Sequence, residues 1–300
     1  MPQRDRAVLN RELERIRSRC SGDVSLAARN LTTGETVLLD ADAVYPTASV
    51  IKVAILLEVY AQADAGLLQL DERIEMRPSD QVGGSGVLKT LLPGLQPTLY
   101  DLATLMIIKS DNTATNMCID RVGGVAAVNT RVQDTYGLRS IVLHNRVDFD
   151  KIGSDVRNFA ETTASDFMRL MELLARHELV SAHASQEMLA ILSRQQYLDQ
   201  FPRYLNVNPY AQDLNLAQDI SVHNKTGFFP GTGVDAGVIA LPEGVTVVYH
   251  AVCHNAADTS IAPENEVSVV NGLLGRALIR HWWPRDDVES ASVPTCYVVS

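Results

Sequence analysis

Strand-like patterning lies at the two ends of this chain, and nearly everything between is patterned as helix. Near the start, SLAARNL (25–31) and TVLL (36–39) flank Thr32-Thr33-Gly34-Glu35, which predicts a hairpin with glycine at its turn. Near the end, ISVHNKTGF (220–228), DAGVIALP (235–242) and VTVVYHAVC (245–253) alternate or run apolar, separated by turn residues that include Pro242-Glu243-Gly244. No βαβ repeat occurs, so a doubly wound parallel sheet is disfavoured. The layout predicts an α+β fold resembling an α/β/α sandwich. In it, an antiparallel sheet formed from the N- and C-terminal segments has flanking helices, and an all-helical lobe sits beside it.

The helices can be placed by their apolar spacing. MPQRDRAVLNRELERIRSRC predicts an amphipathic helix with Val8, Leu9, Leu13 and Ile16 on one stripe. VAILLEVYAQADAG is apolar on nearly every face and belongs inside the protein, in a helix over about 49–66 that Thr47 and Ser49 cap and Gly66 ends. LYDLATLMIIKS (99–110), DNTATNMCIDRVGG (111–124) and TASDFMRLMELLARHE (163–178) continue the helical middle, and EVSVVNGLLGRALIRHWW (266–283) closes with another helix. Between them, HNRVDFDKIGSDVRNFAET (144–162) is polar and turn-rich, and so long a loop in a compact domain is more often functional than idle. The expected division is an N-terminal helix at 1–19, a main domain at 20–283 and a surface tail at 284–300. The sheet lobe would take about 1–48 and 206–283, the helical lobe 67–205, with helix 49–66 between them.

Composition excludes several function classes. The 46% apolar and 21% charged residues are those of an ordinary folded globule. With 36 acidic against 26 basic residues, and no Lys/Arg run, nucleic acid is not an expected partner. The first twenty residues have no apolar h-region, and no stretch can span a bilayer. The expected site is therefore cytoplasmic, exported only if a leader is missing from the start. Cys20, Cys118, Cys253 and Cys296 form no CxxC pair, no HxH occurs, and the His250/His254 pair ends a strand and does not suggest a metal site, so neither metal nor cofactor is expected. Cys118 and Cys253 suit small buried hydrophobes.

Three short motifs carry chemistry. Ser49-Val50-Ile51-Lys52 puts a hydroxyl and an amine one helical turn apart in an apolar helix. Burial lowers a lysine pKa and frees its amine to act as a base, which a serine needs to become a nucleophile. The helix N-terminus favours the developing negative charge. Alone, the motif equally describes a capping serine with a snorkelling lysine. Ser110-Asp111-Asn112 joins two helices, where it could relay a proton or simply cap. Lys225-Thr226-Gly227 lies on a strand, with a cation, a hydroxyl and a residue that lets a ligand approach the backbone.

SxxK, SDN and KTG in this order resemble the signature of class A β-lactamases and penicillin-binding proteins, over about residues 20–283. The resemblance implies that Ser49 is acylated, that Lys52 accepts or relays its proton, and that Ser110 carries a proton to the departing nitrogen. It further implies that Asn112 binds the substrate amide, that Lys225 and Thr226 anchor a substrate carboxylate beside Gly227, and that the N–H groups of Ser49 and Phe228 form the oxyanion hole. The expected partner is a small amide or ester, a β-lactam or a peptide-like molecule; the oligomeric state is open.

The match breaks in two places. Class A enzymes release the acyl group with a glutamate in an ExxLN motif, which 144–162 lacks; Asp148, Asp150 and Glu161 are the weak candidates in its stead, each equally a solvated loop charge. On the strand after KTG, Asp235 or Ala236 stands where an arginine often helps hold the carboxylate, and an acid would repel it. GGSGVLKTLLPG (83–94) and RQQYLDQFPRYL (194–205) look like a branch of class A-like serine hydrolases that keeps acylation and often lacks the deacylating glutamate. His223 shares a strand face with Lys225 and is expected near the pocket border, the other histidines being structural. The expected function is a serine acyl-transfer hydrolase with slow β-lactam hydrolysis. The alternatives are a D-Ala-D-Ala-type peptidase or carboxylesterase of the same fold, and a non-catalytic sensor that captures an acyl ligand.

Overall fold

The computed structural model describes residues 5–211 and 213–284. Its strands are β1 (Asp23–Asn30), β2 (Thr36–Leu39), β3 (Val44–Pro46), β4 (Val142–Leu143), β5 (Ala160–Thr163), β6 (Ser221–Phe229), β7 (Thr232–Ala240) and β8 (Thr246–His254). Its helices are α1 (Arg6–Arg17), α2 (Lys52–Asp64), α3 (Leu99–Ile108), α4 (Asn112–Arg121), α5 (Val125–Thr130), α6 (Phe149–Ile152), α7 (Ala164–Ala175), α8 (Ala182–Leu192) and α9 (Glu266–Trp282).

The two ends build one five-stranded antiparallel sheet, ordered β2-β1-β8-β7-β6. The first hairpin turns at Gly34, whose φ of 79° suits glycine. β1 then reaches across the sequence to β8, in register from Asp23↔His254 to Asn30↔Val247. Each face of the sheet is covered. On one, α1 and α9 enclose a core that includes Leu9, Leu13, Leu26, Tyr249 and Leu278. On the other, α2, α7 and the remaining helices form the larger core around Ile55, Leu56, Met106 and Phe167. The buried α2 thus sits within the larger core, apolar on all sides because protein surrounds it.

Three features depart from the sequence expectations. Val8 is 42% exposed, so the apolar stripe of α1 narrows to Leu9, Leu13 and Ile16. α2 begins at Lys52, after a 3₁₀ turn at Ala48–Ile51, and neither Thr47 nor Ser49 caps it; the Thr47 hydroxyl donates to the Ala48 carbonyl instead. A small second sheet, β3-β5-β4, uses Ala160–Thr163 from the segment taken as a loop. Its strands are two to four residues long, too short for a period-two pattern to show. The tail from residue 285, with Cys296, lies outside the described residues.

The stretch from Ser193 to Ile220 joins the helices to the sheet. Phe201 stacks on Tyr249 with ring centroids 3.7 Å apart. α9 closes over it at Gly275, where an added Cβ would lie 2.1 Å from the Phe201 carbonyl oxygen. Backbone gives way less readily than a flexible side chain, so Gly275→Ala is expected to cost about 1–3 kcal/mol by overpacking, read from urea denaturation midpoints. An unchanged midpoint would show that the helix shifts freely.

Candidate active site

The turn that carries Ser49 is pressed against β6. Gly227 has no side chain because one would collide there: its Cβ would lie 2.8 Å from the Ser49 amide nitrogen and 2.9 Å from both the Ala48 methyl and the Thr47 carbonyl. This revises the expectation that the glycine clears space for a ligand, since the serine turn itself takes that space. Ala48 adopts φ 43°, and Ser110 φ 50°, both left-handed values for residues with a Cβ. Each costs about 1–2 kcal/mol, and such strain persists only where surrounding packing holds it.

Lys52 follows Ser49 by one turn, its N–H donating to the Ser49 carbonyl. Its side chain is fully buried, and Nζ donates to the Ser110 carbonyl at 2.7 Å, to Ser110 Oγ at 3.1 Å and to Asn112 Oδ1 at 2.9 Å. Burial lowers its pKa well below the usual lysine value; the nearby Lys225 lowers it further, while Asp111 opposes. Lys225 is also fully buried and donates to the Thr226 carbonyl at 2.5 Å. Burial brings its pKa down to about 7, against the pull of Asp235 and Asp199. Lys225 is therefore held close enough to disfavour charge on Lys52.

Ser49, Ser110, Asn112, Thr226 and Phe228 line one cavity of about 530 Å³. Lys52 and Lys225 lie behind this lining rather than in it. The Ser110-Asp111-Asn112 corner is strapped by the glycine-rich segment before α3. Asp111 caps α4 through the Ala114 N–H and accepts from the N–H groups of Val87 and Leu88. Ser85 Oγ donates to the Ser110 carbonyl at 2.6 Å, and Asn112 Nδ2 to the Gly83 carbonyl at 3.0 Å. Gly86, at φ 103°, passes so close to Asp111 that a Cβ would sit 2.3 Å from its carboxyl carbon. The sequence held a hint of this strap in GGSG, but nothing there tied it to Ser110.

The weak deacylation candidates are not brought to the cavity. Asp148 caps α6, accepting from the N–H groups of Asp150 and Lys151, and both aspartates line a different recess beside Arg146. Glu161 pairs with His144 Nε2 at 3.2 Å. From this segment the cavity instead receives Val147, Phe149, Ile152, Val156 and Phe159, all apolar. Val147 is pinned by Asn116, whose side chain donates to its carbonyl at 2.9 Å and accepts from its N–H at 2.8 Å.

The other expectations resolve as follows. Asp235 does not face the cavity: fully buried, it accepts from the Phe201 N–H at 3.1 Å, Asn224 Nδ2 at 3.0 Å and the Tyr249 hydroxyl at 3.2 Å. Burial pushes its pKa up to about 8, and its hydrogen bonds turn it toward Asn224 and Tyr249 and away from where a substrate carboxylate would lie. His223 is tied to the Leu189 carbonyl and Ser221 Oγ, away from the cavity lining. Asp199 and Gln200, unremarked in the sequence, do line it.

A family model described as the beta-lactamase enzyme family matches residues 8–282. The chain belongs to that family. Among solved structures, a β-lactamase from Sphaerobacter thermophilus is 29% identical, with 92% of this chain and 97% of that one covered at a TM-score of 0.80. A point variant of PBP-A, captured as an acyl-enzyme complex with penicillin G, is 28% identical over 94% of this chain and 98% of its own, at a TM-score of 0.78. An ancestral class A β-lactamase shares the fold at a TM-score of 0.76, with 23% identity over 91% and 99% of the two chains. The protein is thus a hydrolase of the serine β-lactamase and penicillin-binding type. No described helix is long and apolar enough to cross a membrane.

The buried amine makes a linkage prediction. Folding lowers the Lys52 pKa, so between that value and 10.5 the unfolded chain binds more protons, and stability rises with pH. Relative to Lys52→Met, the wild type should gain stability from neutral pH toward 10, approaching about 1.4 kcal/mol per unit. Urea melts of both proteins at several pH values measure this; parallel curves would remove the desolvated amine from the account.

Proposed function

We propose that the protein transfers acyl groups through Ser49, with β-lactams or related amides and esters as donors, and that its acyl-enzyme is hydrolysed slowly. The observation that carries this is the Lys52 amine, desolvated behind the cavity that Ser49 lines and hydrogen-bonded to the Ser110 hydroxyl. In the proposed reaction, Ser49 Oγ bonds to the carbonyl carbon as its proton passes to the Lys52 amine, which when neutral donates to two of its three oxygen neighbours and takes the proton on its lone pair. The oxyanion is held by the N–H groups of Ser49 and Phe228. The amide C–N bond then breaks, and Ser110, resupplied from Lys52, delivers the proton to nitrogen. Lys225 acts from behind Thr226, favouring a substrate carboxylate at the Thr226 hydroxyl when charged, while Asn112 meets the substrate amide.

Slow release follows from the apolar wall. A water needs a general base to attack the ester, and the five residues that 144–162 contributes to the cavity supply none; the lining carboxylate, Asp199, comes from the Ser193–Ile220 stretch instead of from this wall. The same wall supports a second reading, a D-Ala-D-Ala-type peptidase or carboxylesterase that penicillin traps. A non-catalytic sensor is disfavoured by a lysine poised as a base.

Intact-protein mass spectrometry after mixing with penicillin G should show one adduct equal to the whole penicillin, mapped to Ser49 and absent in Ser49→Ala. Lys52→Arg, whose guanidinium cannot act as a base, should acylate at least about 100-fold more slowly. No adduct, or one on another residue, would sink the proposal. A chromogenic cephalosporin turned over rapidly would refute slow deacylation.

Val147→Glu tests the release step. A carboxylate placed on the backbone that Asn116 holds would face the cavity, with burial raising its pKa toward the range of an effective base. The adduct should then decay at least about tenfold faster. An unchanged lifetime in a folded variant would place the limiting factor elsewhere.

A further inference from the structure

We infer that Gln200 is a positioning residue that aims the Phe228 N–H at the developing oxyanion. The inference rests on the acyl-transfer reading of Ser49 and extends it to a residue outside the three motifs.

Gln200 is almost wholly buried and borders the cavity from the stretch between α8 and β6. Both ends of its amide are committed. Nε2 donates to the Gly227 carbonyl at 2.9 Å, and Oε1 accepts from Asn271 Nδ2 at 2.9 Å. The orientation is forced by the neighbours. Asn271 Nδ2 also meets the Gly233 carbonyl at 3.2 Å, which can only accept, and Asn271 Oδ1 takes the Cys253 thiol at 3.3 Å. Reversing either amide would set donor against donor or oxygen against oxygen, a costly arrangement in the interior. Space for Gln200 comes from the strand pair itself: a Cβ at Gly233 would lie 3.0 Å from Oε1.

The hold matters because of what shares the peptide. The Gly227 carbonyl and the Phe228 N–H belong to one planar trans unit and point in opposite directions. A carbonyl tied to Gln200 therefore sets where that N–H points. Glycine is the residue whose flanking peptides turn most freely, and here it abuts the Ser49 turn, on a strand that has a ladder partner on one side alone. Gln200 gives this peptide a hold besides its β7 ladder, and preorganisation is what gives an oxyanion donor its worth. The tether runs from Gln200 through Asn271 to Cys253, that is, from the cavity to α9 and β8.

Two substitutions test this, with the rate of Ser49 acylation by penicillin G and by a chromogenic ester as readout. Gln200→Leu keeps the bulk and removes the tether. It should slow the limiting single-turnover rate of acylation about 10- to 100-fold, as an appreciable part of one oxyanion donor's effect, and lower kcat/KM for the ester by a similar factor. Gln200→Glu should be equally slow at pH 8, where the carboxylate cannot donate to the Gly227 carbonyl. It should recover toward the wild-type rate at the same pH as the solution is acidified and the buried acid regains its proton. Equal acylation rates for wild type and Gln200→Leu, or a change confined to the concentration at which acylation half-saturates with the limiting rate unchanged, would overturn the inference and leave Ser49 chemistry standing. Should Gln200→Leu fail to fold, a Gln200→Glu to wild-type ratio independent of pH overturns it instead. A wild type that neither reagent acylates at Ser49 takes down both proposals.

Discussion

The site depends on one buried amine. Lys52 stands where the helix that follows the Ser49 turn meets the corner between α3 and α4, and its three hydrogen bonds to Ser110 and Asn112 join the two. An ammonium in that place is costly, which is why burial drives the pKa down. The same cost underlies the base role proposed for the amine, because a lysine that stayed charged could not take a proton from serine. Lys225 adds to the pressure from the sheet side. Around this pair the backbone accepts strain at Ala48 and Ser110, and the Gly83–Gly86 strap keeps the corner from relaxing.

The architecture was legible because it follows from local patterning. Turn residues around Gly34 and Pro242-Glu243-Gly244 mark the strand ends, and the apolar run after Lys52 could only be interior. The positions singled out by motif, Ser49, Ser110, Asn112, Thr226 and Phe228, meet at one cavity because their order along the chain matches the sheet–helix–sheet path. What stayed hidden depends on contacts between distant segments. Nothing local reveals that β6 presses on the Ser49 turn, so the helix appeared to start at the serine instead of at Lys52. The acids of 144–162 looked available by spacing, yet α6 takes Asp148 as a cap and His144 takes Glu161. Asp235 seemed to face a substrate, but strand alternation turns it toward Asn224 and Tyr249. Gln200 and Asn271 sit in unrelated stretches, and only folding joins them.

The cavity wall separates two tasks that are often discussed together. Polar groups gather on the side of Ser110, Asn112 and Thr226, while the side formed by 147–159 is apolar. Asp199 and Gln200 line the cavity as well. In the proposed reaction the polar side serves bond formation at the carbonyl, while the apolar side offers no group to activate water for the next step.

The close fit of the serine turn against Gly227 has a consequence unrelated to chemistry. β6 is an outer strand of the sheet, and nine residues of open edge would offer another chain a template for pairing. The turn at Ala48–Ile51 packs over β6 at Gly227, so the segment that carries Ser49 also crowds part of this outer strand. The opposite border, β2, is only four residues long and offers little to pair with.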